Sequence, residues 1–208
     1  MKLILILLSF FLGHFTSGQT VVQDSLPVHE NKRVERSKTI MMSPFTGIKV
    51  FSGIQVKLIP STENKLILSG ENFETVVTTL KKDVLRIKHS LDQIFNPKNT
   101  YIEIYFSKPL DLIHTYQGSI VESEALLKTT SIELKAHEGS SIELNLESEK
   151  IESSVNSGAT LNIKGSTVNH ELKILGGGIC ESETLLTKQT TVKVTAGGVA
   201  YIHASDLL

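Results

Sequence analysis

The chain has 208 residues, and its 21 Lys and Arg against 22 Asp and Glu give a formal net charge of −1. This balance excludes a simple basic nucleic-acid-binding protein, because the chain as a whole builds no strong positive field. The single Cys excludes a disulfide-stapled miniprotein, since one thiol has no intramolecular partner. An apolar fraction of 40% is ordinary for a globular chain, and few aromatics beside many Ile, Leu, Val, Ser and Thr favour β-structure.

The N-terminus has the pattern of an export signal. Lys2 precedes an almost uninterrupted apolar run over residues 3–12, and small residues follow. We therefore predict a signal peptide over residues 1–18, with cleavage between Gly18 and Gln19. A membrane anchor is the alternative, but the run is shorter than the roughly 20 residues that span a bilayer. The sequence thus predicts an exported protein that is periplasmic, on the cell surface or secreted.

Residues 19–43 are predicted to be a flexible leader, because apolar residues are scattered there and residues 30–36 form a charged cluster. The predicted domain occupies residues 44–208. Its first part alternates apolar and polar residues with a period of two, which indicates strands with one buried and one exposed face. Residues 71–80 are compatible with a short helix or a strand, and residues 91–100 are predicted to form a loop.

From about residue 110 to residue 205 the sequence repeats with a period of about twenty residues. Glycines recur at steps of 21, 19, 19 and 20, namely at Gly118, Gly139, Gly158, Gly177 and Gly197. Such a period indicates a solenoid, in which each turn, or rung, buries its inner side only by stacking on its neighbours. A tight corner often needs a positive φ, which glycine adopts without a Cβ clash, so we predict these five as structural turn glycines.

Columns of equivalent residues support this register. Three places after each Gly stand Val121, Ile142, Leu161, Cys180 and Ala200, and five places after stand Ser123, Leu144, Ile163, Ser182 and Ile202. Both columns are apolar or small and are predicted to point inward. The column between them holds Glu122, Glu143, Asn162, Glu181 and Tyr201 and is predicted to point outward. A second short strand precedes each Gly, so the prediction is an all-β solenoid with two strands a rung, after a strand-rich N-terminal portion. An ordinary β-sandwich with accidental glycine spacing is the alternative.

Several motifs resemble those of a known family. Residues 45–58 (FTGIKVFSGIQVKL) resemble its opening strand pair, and residues 156–159 (NSGA) are similar to its recurrent S-G-A-G. Residues 70–72 (GEN) resemble its G-x-N turn, and residues 84–87 (VLRI) resemble its L-x-I strand. The family is that of the putative auto-transporter adhesins, head GIN domain, and the resemblance covers residues 45–205.

The resemblance implies a right-handed β-helical solenoid in an exported protein, of a kind common in Bacteroidota. It also implies an adhesin-like role in binding. The motifs are structural, and no catalytic residues are attached to them.

A carbohydrate-active β-helix enzyme, a lyase or hydrolase, is the main alternative function. Glu122 and Glu143 are expected in neighbouring rungs about 5 Å apart, a spacing suited to retaining glycoside hydrolysis. Outward carboxylates also keep a solenoid soluble, and Asn162 interrupts this column. We therefore predict no catalytic residues and no cofactor.

The histidines, the single cysteine and the aromatic residues are predicted to have structural rather than chemical roles. The histidines occupy different rung positions, so we expect them on the surface or in loops rather than in a metal site; they are His29, His89, His114, His137, His170 and His203. Cys180 belongs to an inward column and is expected to be a buried thiol. A sugar-stacking platform is a weaker alternative for the scattered aromatics Tyr101, Tyr105, Phe106, Tyr116 and Tyr201.

The sequence therefore predicts a non-catalytic, adhesin-like binding module at the cell envelope. The expected partner is a surface glycan or a protein, and nucleic acid is not expected. A structural or assembly role is a further alternative. Only residues 203–208 follow the last rung, and an open edge favours a homo-oligomer formed through the solenoid edges.

Overall fold

The computed structural model describes residues 36–90 and 99–203, which form fifteen β-strands and one short 3₁₀ helix. The predicted signal peptide, with Gly18 and Gln19, lies outside the described residues, as do residues 19–35 of the leader and most of the predicted loop. Parallel strands stack from rung to rung, so the predicted all-β solenoid is confirmed.

The strand-rich N-terminal portion contains β1 Ser37–Met41, β2 Gly47–Val50, β3 Gln55–Pro60, β4 Lys65–Gly70, β5 Val76–Lys81, β6 Val84–His89 and β7 Thr100–Phe106. The repeats contain β8 Leu112–Thr115, β9 Ile120–Lys128, β10 Ser131–His137, β11 Ser141–Asn156, β12 Thr160–Leu175, β13 Ile179–Ser182, β14 Leu185–Val194 and β15 Val199–Ile202. The ambiguous residues 71–80 are divided between the 3₁₀ helix Phe73–Thr75 and β5.

Two long sheets run along the solenoid. The first sheet contains the segments that follow the glycine turns, in the order β3, β9, the first parts of β11 and β12, β13 and β15, all parallel. Beyond β3 it continues through parallel β7 and then antiparallel β4 and β1. The second sheet contains the segments that precede the turns, in the order β2, β8, β10, the last parts of β11 and β12, and β14. It continues beyond β2 through β6 and β5.

The rungs contain three strand segments rather than the two predicted from the sequence. Between the first and second sheets, Leu146 pairs with Leu127 and with Gly165, and Gly165 pairs with Leu185. These pairs belong to a short third sheet, which β11 and β12 reach by turning a corner while their pairing continues. The corner was not predicted because no residue type recurs there at every rung.

The glycine turns are themselves stacked. Gly118, Gly139, Gly158, Gly177 and Gly197 have φ values of 71°, 68°, 70°, 75° and 77°, and the residue before each also has a positive φ. Ser52 and Gly53 make the same turn at 65° and 71°, so the stack begins before the repeat that the sequence shows. The Gly139 N–H donates to the carbonyl oxygen of Ser157 at 3.0 Å, which joins one turn to the next.

The inward columns form the core. Val121, Ile142, Leu161 and Cys180 are fully buried, as their column predicts. Ile202 differs, because it was predicted inward and is 38% exposed. Within the described residues β15 pairs only with β13, so no later strand covers this side chain.

Three histidines differ from the expectation of a surface or loop position, since His89, His114 and His170 are buried. His170 takes an inward position on β12, where its Nε2 lies 3.0 Å from Ser153 Oγ. This contact satisfies the ring nitrogen, which lets a polar side chain occupy the core. Burial lowers the pKa of His170 to about 4.

The end of the leader also differs from the expectation. Residues 37–41 were expected to be flexible, but they form β1, which pairs antiparallel with β4. Ile40 is the half-buried side chain that packs against the core. One apolar contact in five residues leaves only a weak periodic signal in the sequence.

His170 is expected to make stability depend on pH. The pKa of its imidazole falls from 6.5 to about 4 on folding, so between these values the unfolded state binds more protons. Stability is therefore full above pH 6.5 and falls as the pH is lowered towards 4, by about 2–3 kcal/mol from this group. Urea unfolding at about pH 7.5 and about pH 4.5 measures this difference. His170→Gln should reduce the difference, whereas His203→Gln, at an exposed position, should preserve it. An unchanged difference in His170→Gln would contradict the prediction.

Gly165 and Gly139 form a matched pair for testing the corners. At Gly165, φ is 108° and a Cβ would collide with the carbonyl oxygen of Leu146. At Gly139, φ is 68° and a Cβ would meet no atom within 4 Å. We expect Gly139→Ala to cost about 1 kcal/mol through its backbone conformation alone, and Gly165→Ala to cost more than about 3 kcal/mol. Equal losses in denaturant unfolding would show that the third-sheet corner is not sterically constrained.

Candidate functional site

A groove of about 470 Å³ lies on the outward side of the first sheet, where β1, β4, β7, β3 and β9 are adjacent. Its floor consists of two rows of side chains that run across the strands. The first row is Ser37, Ser69, Tyr101, Gln55 and Ile120, and the second row includes Ile67, Glu103, Lys57 and Glu122.

Strand geometry places these side chains. Alternate residues of a strand point to opposite sides, so the buried Val56 and Ile102 direct their neighbours Gln55, Lys57 and Tyr101 outward. Five adjacent strands about 4.8 Å apart span roughly 19 Å. The groove is therefore wide enough for an extended ligand of several units.

The first row combines an aromatic ring, an amide and an aliphatic side chain. Tyr101 is 44% exposed, and Gln55 lies between it and the exposed Ile120 in the strand register. The Gln55 amide offers both donors and an acceptor. An apolar surface beside a neutral hydrogen-bonding group suits a ligand with an apolar face and hydroxyl groups.

The second row contains one cation, Lys57, whose charge is neutralised by neighbouring carboxylates. Lys57 lies in register between Glu103 and Glu122, and its Nζ donates to Glu124 Oε1 at 3.0 Å. The hydrogen bond and charge of Glu124 raise the pKa of Lys57, with smaller contributions from Glu122 and Glu103. Three carboxylates around one ammonium leave this row with net negative charge, which disfavours an anionic ligand.

Glu103 is held in place by a neighbour on the same strand. The Tyr105 hydroxyl donates to Glu103 Oε2 at 3.0 Å, and this hydrogen bond raises the pKa of Tyr105. Lys65 Nζ lies 4.9 Å from the centre of the Tyr105 ring and 2.7 Å from Glu63 Oε2. The Tyr105 hydroxyl therefore holds one oxygen of the Glu103 carboxylate, while Lys65 contacts the ring of the same tyrosine.

Glu122 and Glu143, the two carboxylates with the spacing expected for glycoside hydrolysis, are neighbours in the strand register. Both line a hollow of about 270 Å³ together with Glu124 and Lys164. The Glu143 side chain is 51% exposed, and Lys164 Nζ lies 3.4 Å from its Oε1. A glycosidase acid is usually shielded from water so that it keeps its proton, and Glu143 lacks such shielding.

The aromatic residues do not form one platform. Tyr101 lies in the groove, whereas Tyr116 directly follows β8 of the second sheet and is stacked on Phe51 with ring centroids 4.8 Å apart. Phe106 is buried, and Tyr201 is on the last rung. The buried Cys180 thiol is free, and burial raises its pKa to about 11, which makes it a poor nucleophile.

Residues 36–90 and 99–203 contain no group of three His, Cys, Asp or Glu side chains positioned to hold a metal ion. Over the same residues, no helix has the length and apolar character needed to cross a membrane.

The sequence singles out Tyr101 among the scattered aromatics, but it does not predict the first row of the groove. Tyr101, Gln55 and Ile120 lie on strands that are far apart in the chain, and no motif links them. Each position was recognisable as outward from its period-two pattern. Their adjacency depends on the pairing of β7, β3 and β9.

The fold and the groove define a β-solenoid protein with a surface site of ligand size. A family model described as "putative auto-transporter adhesin, head GIN domain" matches residues 44–208. The chain belongs to this family, and the resemblance found in the sequence is confirmed. No curated protein matches the sequence.

Solved structures share the fold at low sequence identity. A putative adhesin from Bacteroides fragilis NCTC 9343 has a TM-score of 0.71 and 15% identity, over 81% of this chain and 78% of that chain. A putative adhesin from Parabacteroides distasonis ATCC 8503 has a TM-score of 0.62 and 21% identity, over 82% of each chain. A putative lipid binding protein from the same strain has a TM-score of 0.59 and 13% identity, over 82% of each chain. These likenesses show the fold alone.

Proposed function

We propose that this protein is an exported, non-catalytic binding module at the cell envelope, and that it holds an uncharged glycan in the groove of the first sheet. The observation that carries the proposal is the row in which exposed Tyr101 and Ile120 flank Gln55. A pyranose ring has an apolar face that can lie against an aromatic side chain, and its hydroxyls exchange hydrogen bonds with an amide.

The charge of the groove supports an uncharged ligand. Lys57 is already engaged by Glu124, and Glu103 and Glu122 stand on either side of it. An acidic sugar would meet these carboxylates without an available cation. An acyl chain is disfavoured as well, because one row of the floor is charged and burying it would cost solvation energy.

Membership in an adhesin family supports a binding role, and the apolar run at residues 3–12 supports export. The absence of catalysis is proposed because the carboxylate pair Glu122 and Glu143 is solvated and Glu143 is ion-paired.

A pair of tyrosines tests the groove. Tyr101→Ala removes the ring from the groove, whereas Tyr201→Ala removes a ring that is 50% exposed, similar to the 44% of Tyr101, on the last rung of the same sheet. We expect binding of neutral glycans, found by array and measured by calorimetry, to weaken about tenfold or more in Tyr101→Ala. Tyr201→Ala should bind like the unmodified protein.

Two results would contradict the proposed function. Equal glycan affinity in Tyr101→Ala and the unmodified protein would show that the groove is not the glycan-binding site. Hydrolysis or lyase cleavage of a polysaccharide panel, abolished by Glu143→Gln in a variant that still folds, would establish the enzymatic alternative.

Self-association is a second candidate function, supported by the last rung. Val199 is 40% exposed on β15, and Val194 and Ile202 are exposed beside it. In the described residues β15 pairs only with β13, and β14 only with β12, so each has a free edge. Free edges with apolar side chains favour pairing with a second copy.

Sedimentation velocity over a range of concentrations tests this candidate. Val199→Lys places a charge on the free edge and should shift the protein towards monomer. Val168→Lys makes the same change at a position on β12 that is 37% exposed, and should leave the association unchanged. A strictly monomeric mass for the unmodified protein would contradict self-association.

A further inference from the structure

A row of basic side chains runs along the outward side of the second sheet. The strand register places one position of each rung in line, and this basic row consists of Arg86, Lys49, His114, Lys135, Ser154, Lys173 and Lys193. Strands about 4.8 Å apart make the row a line of roughly 29 Å. Five of its seven members are Lys or Arg.

The row points away from the core because its neighbours on the strands point inward. Ile48, Leu134 and Leu172 are buried, so Lys49, Lys135 and Lys173 face outward. The first sheet has the reverse charge at its corresponding outward column, which carries Glu122, Glu143 and Glu181. The solenoid therefore carries two rows of opposite charge although its net charge is near zero.

The carboxylates next to the basic row are already engaged. Glu133 pairs with Lys135, while Lys150 Nζ lies 2.6 Å from Glu152 and 3.0 Å from Glu171. Within residues 36–90 and 99–203, the structure shows no ion pair for Arg86, Lys49, Lys173 or Lys193. These four cations are available to an anionic partner.

An aromatic stack supports one end of the row. The Arg86 guanidinium lies 5.2 Å from the Phe51 ring centre, Phe51 stacks on Tyr116, and the Tyr116 and His137 ring centroids are 5.6 Å apart. Phe51 and Tyr116 cover each other's faces and His137 meets Tyr116 edge-on, so these rings orient Arg86 rather than provide a platform for sugars. His114 adds no charge near neutral pH, because burial, aided by Lys49 and Lys135 and opposed by Glu133, lowers its pKa to about 4.

We propose that the basic row binds a linear acidic polysaccharide along the solenoid axis. Arg86 and Lys49 form a pair of cations at one end of the row, and Lys173 and Lys193 form a pair at the other end. Each sugar of an extended chain advances by a distance close to the strand spacing, so one chain along the row can place neighbouring carboxylates at both pairs. The site is narrow, because the acidic residues Glu133, Glu152 and Glu171 run beside it. A single polysaccharide chain is narrow enough to contact the basic row without covering the neighbouring carboxylates. A DNA duplex or an anionic membrane is wider and would cover them.

This site is separate from the groove. It lies on the second sheet, takes a ligand of negative charge and uses none of the groove residues. Tyr101→Ala should therefore leave it unaffected, which makes failure of this proposal distinguishable from failure of the proposed function.

Polygalacturonate of defined length is the probe, titrated into the purified protein at several NaCl concentrations. Binding of a polyanion to cations releases counterions, so affinity should fall as salt rises. Lys173→Gln with Lys193→Gln should weaken binding about tenfold at low salt, and should reduce the slope of log K against log salt by about two.

The control is the double variant Lys128→Gln with Lys164→Gln, which changes net charge equally. Both lysines are exposed and lie away from the row, where they pair with Glu147 and Glu143. This variant should retain the affinity and salt slope of the unmodified protein, and urea unfolding should show both doubles folded.

Several outcomes would overturn the inference. Equal losses in the two double variants would indicate a bulk charge effect without a site. Equally tight binding of fully methyl-esterified polygalacturonate would exclude a role for its carboxylates. Tighter binding of duplex DNA, or of phosphatidylglycerol vesicles, would assign the row to another class of partner.

Discussion

The structure depends on the backbone hydrogen bonds that join each rung to the next. They continue through the corners, as where the Gly139 N–H donates to the Ser157 carbonyl oxygen, so one rung repeats the backbone path of its neighbour. This repetition requires a left-handed conformation at two successive turn residues, which glycine adopts without strain at the second. Because equivalent residues then stand in line about 4.8 Å apart, a residue type repeated in the sequence becomes a continuous row on a surface or in the core.

The rows explain how a chain of near-neutral charge acquires chemically distinct surfaces. Like charges at this spacing repel one another, and the structure moderates the repulsion with neutral positions and ion pairs. Asn162 and Ser154 interrupt the acidic column and the basic row, while Lys57 separates Glu103 from Glu122. The outward side of the first sheet carries carboxylates around the groove, and the outward side of the second sheet carries the basic row.

The single cysteine and most of the histidines in the described residues are buried rather than exposed on these surfaces. Cys180, His89 and His170 are buried, and the environment of each favours its neutral form. What remains outside is a set of Glu, Lys, Gln and Tyr side chains held at fixed spacing by the strands. The two proposed ligands, an uncharged glycan and an acidic polysaccharide, are both matched to this fixed spacing, and a binding role is consistent with a family described by adhesion.

Sequence by itself determined the fold class, the glycine corners and the inward columns, because each depends on local periodicity and turn chemistry. It also indicated which side chains of each strand face outward. Only the tertiary structure decided which outward residues are neighbours, as with Tyr101, Gln55 and Ile120, since strands far apart in the chain meet through pairing register. The third sheet, the strand β1 and the burial of His114 could not be predicted for the same reason. Each depends on contacts with other strands, and the sequence of one strand does not indicate which strands will pack against it.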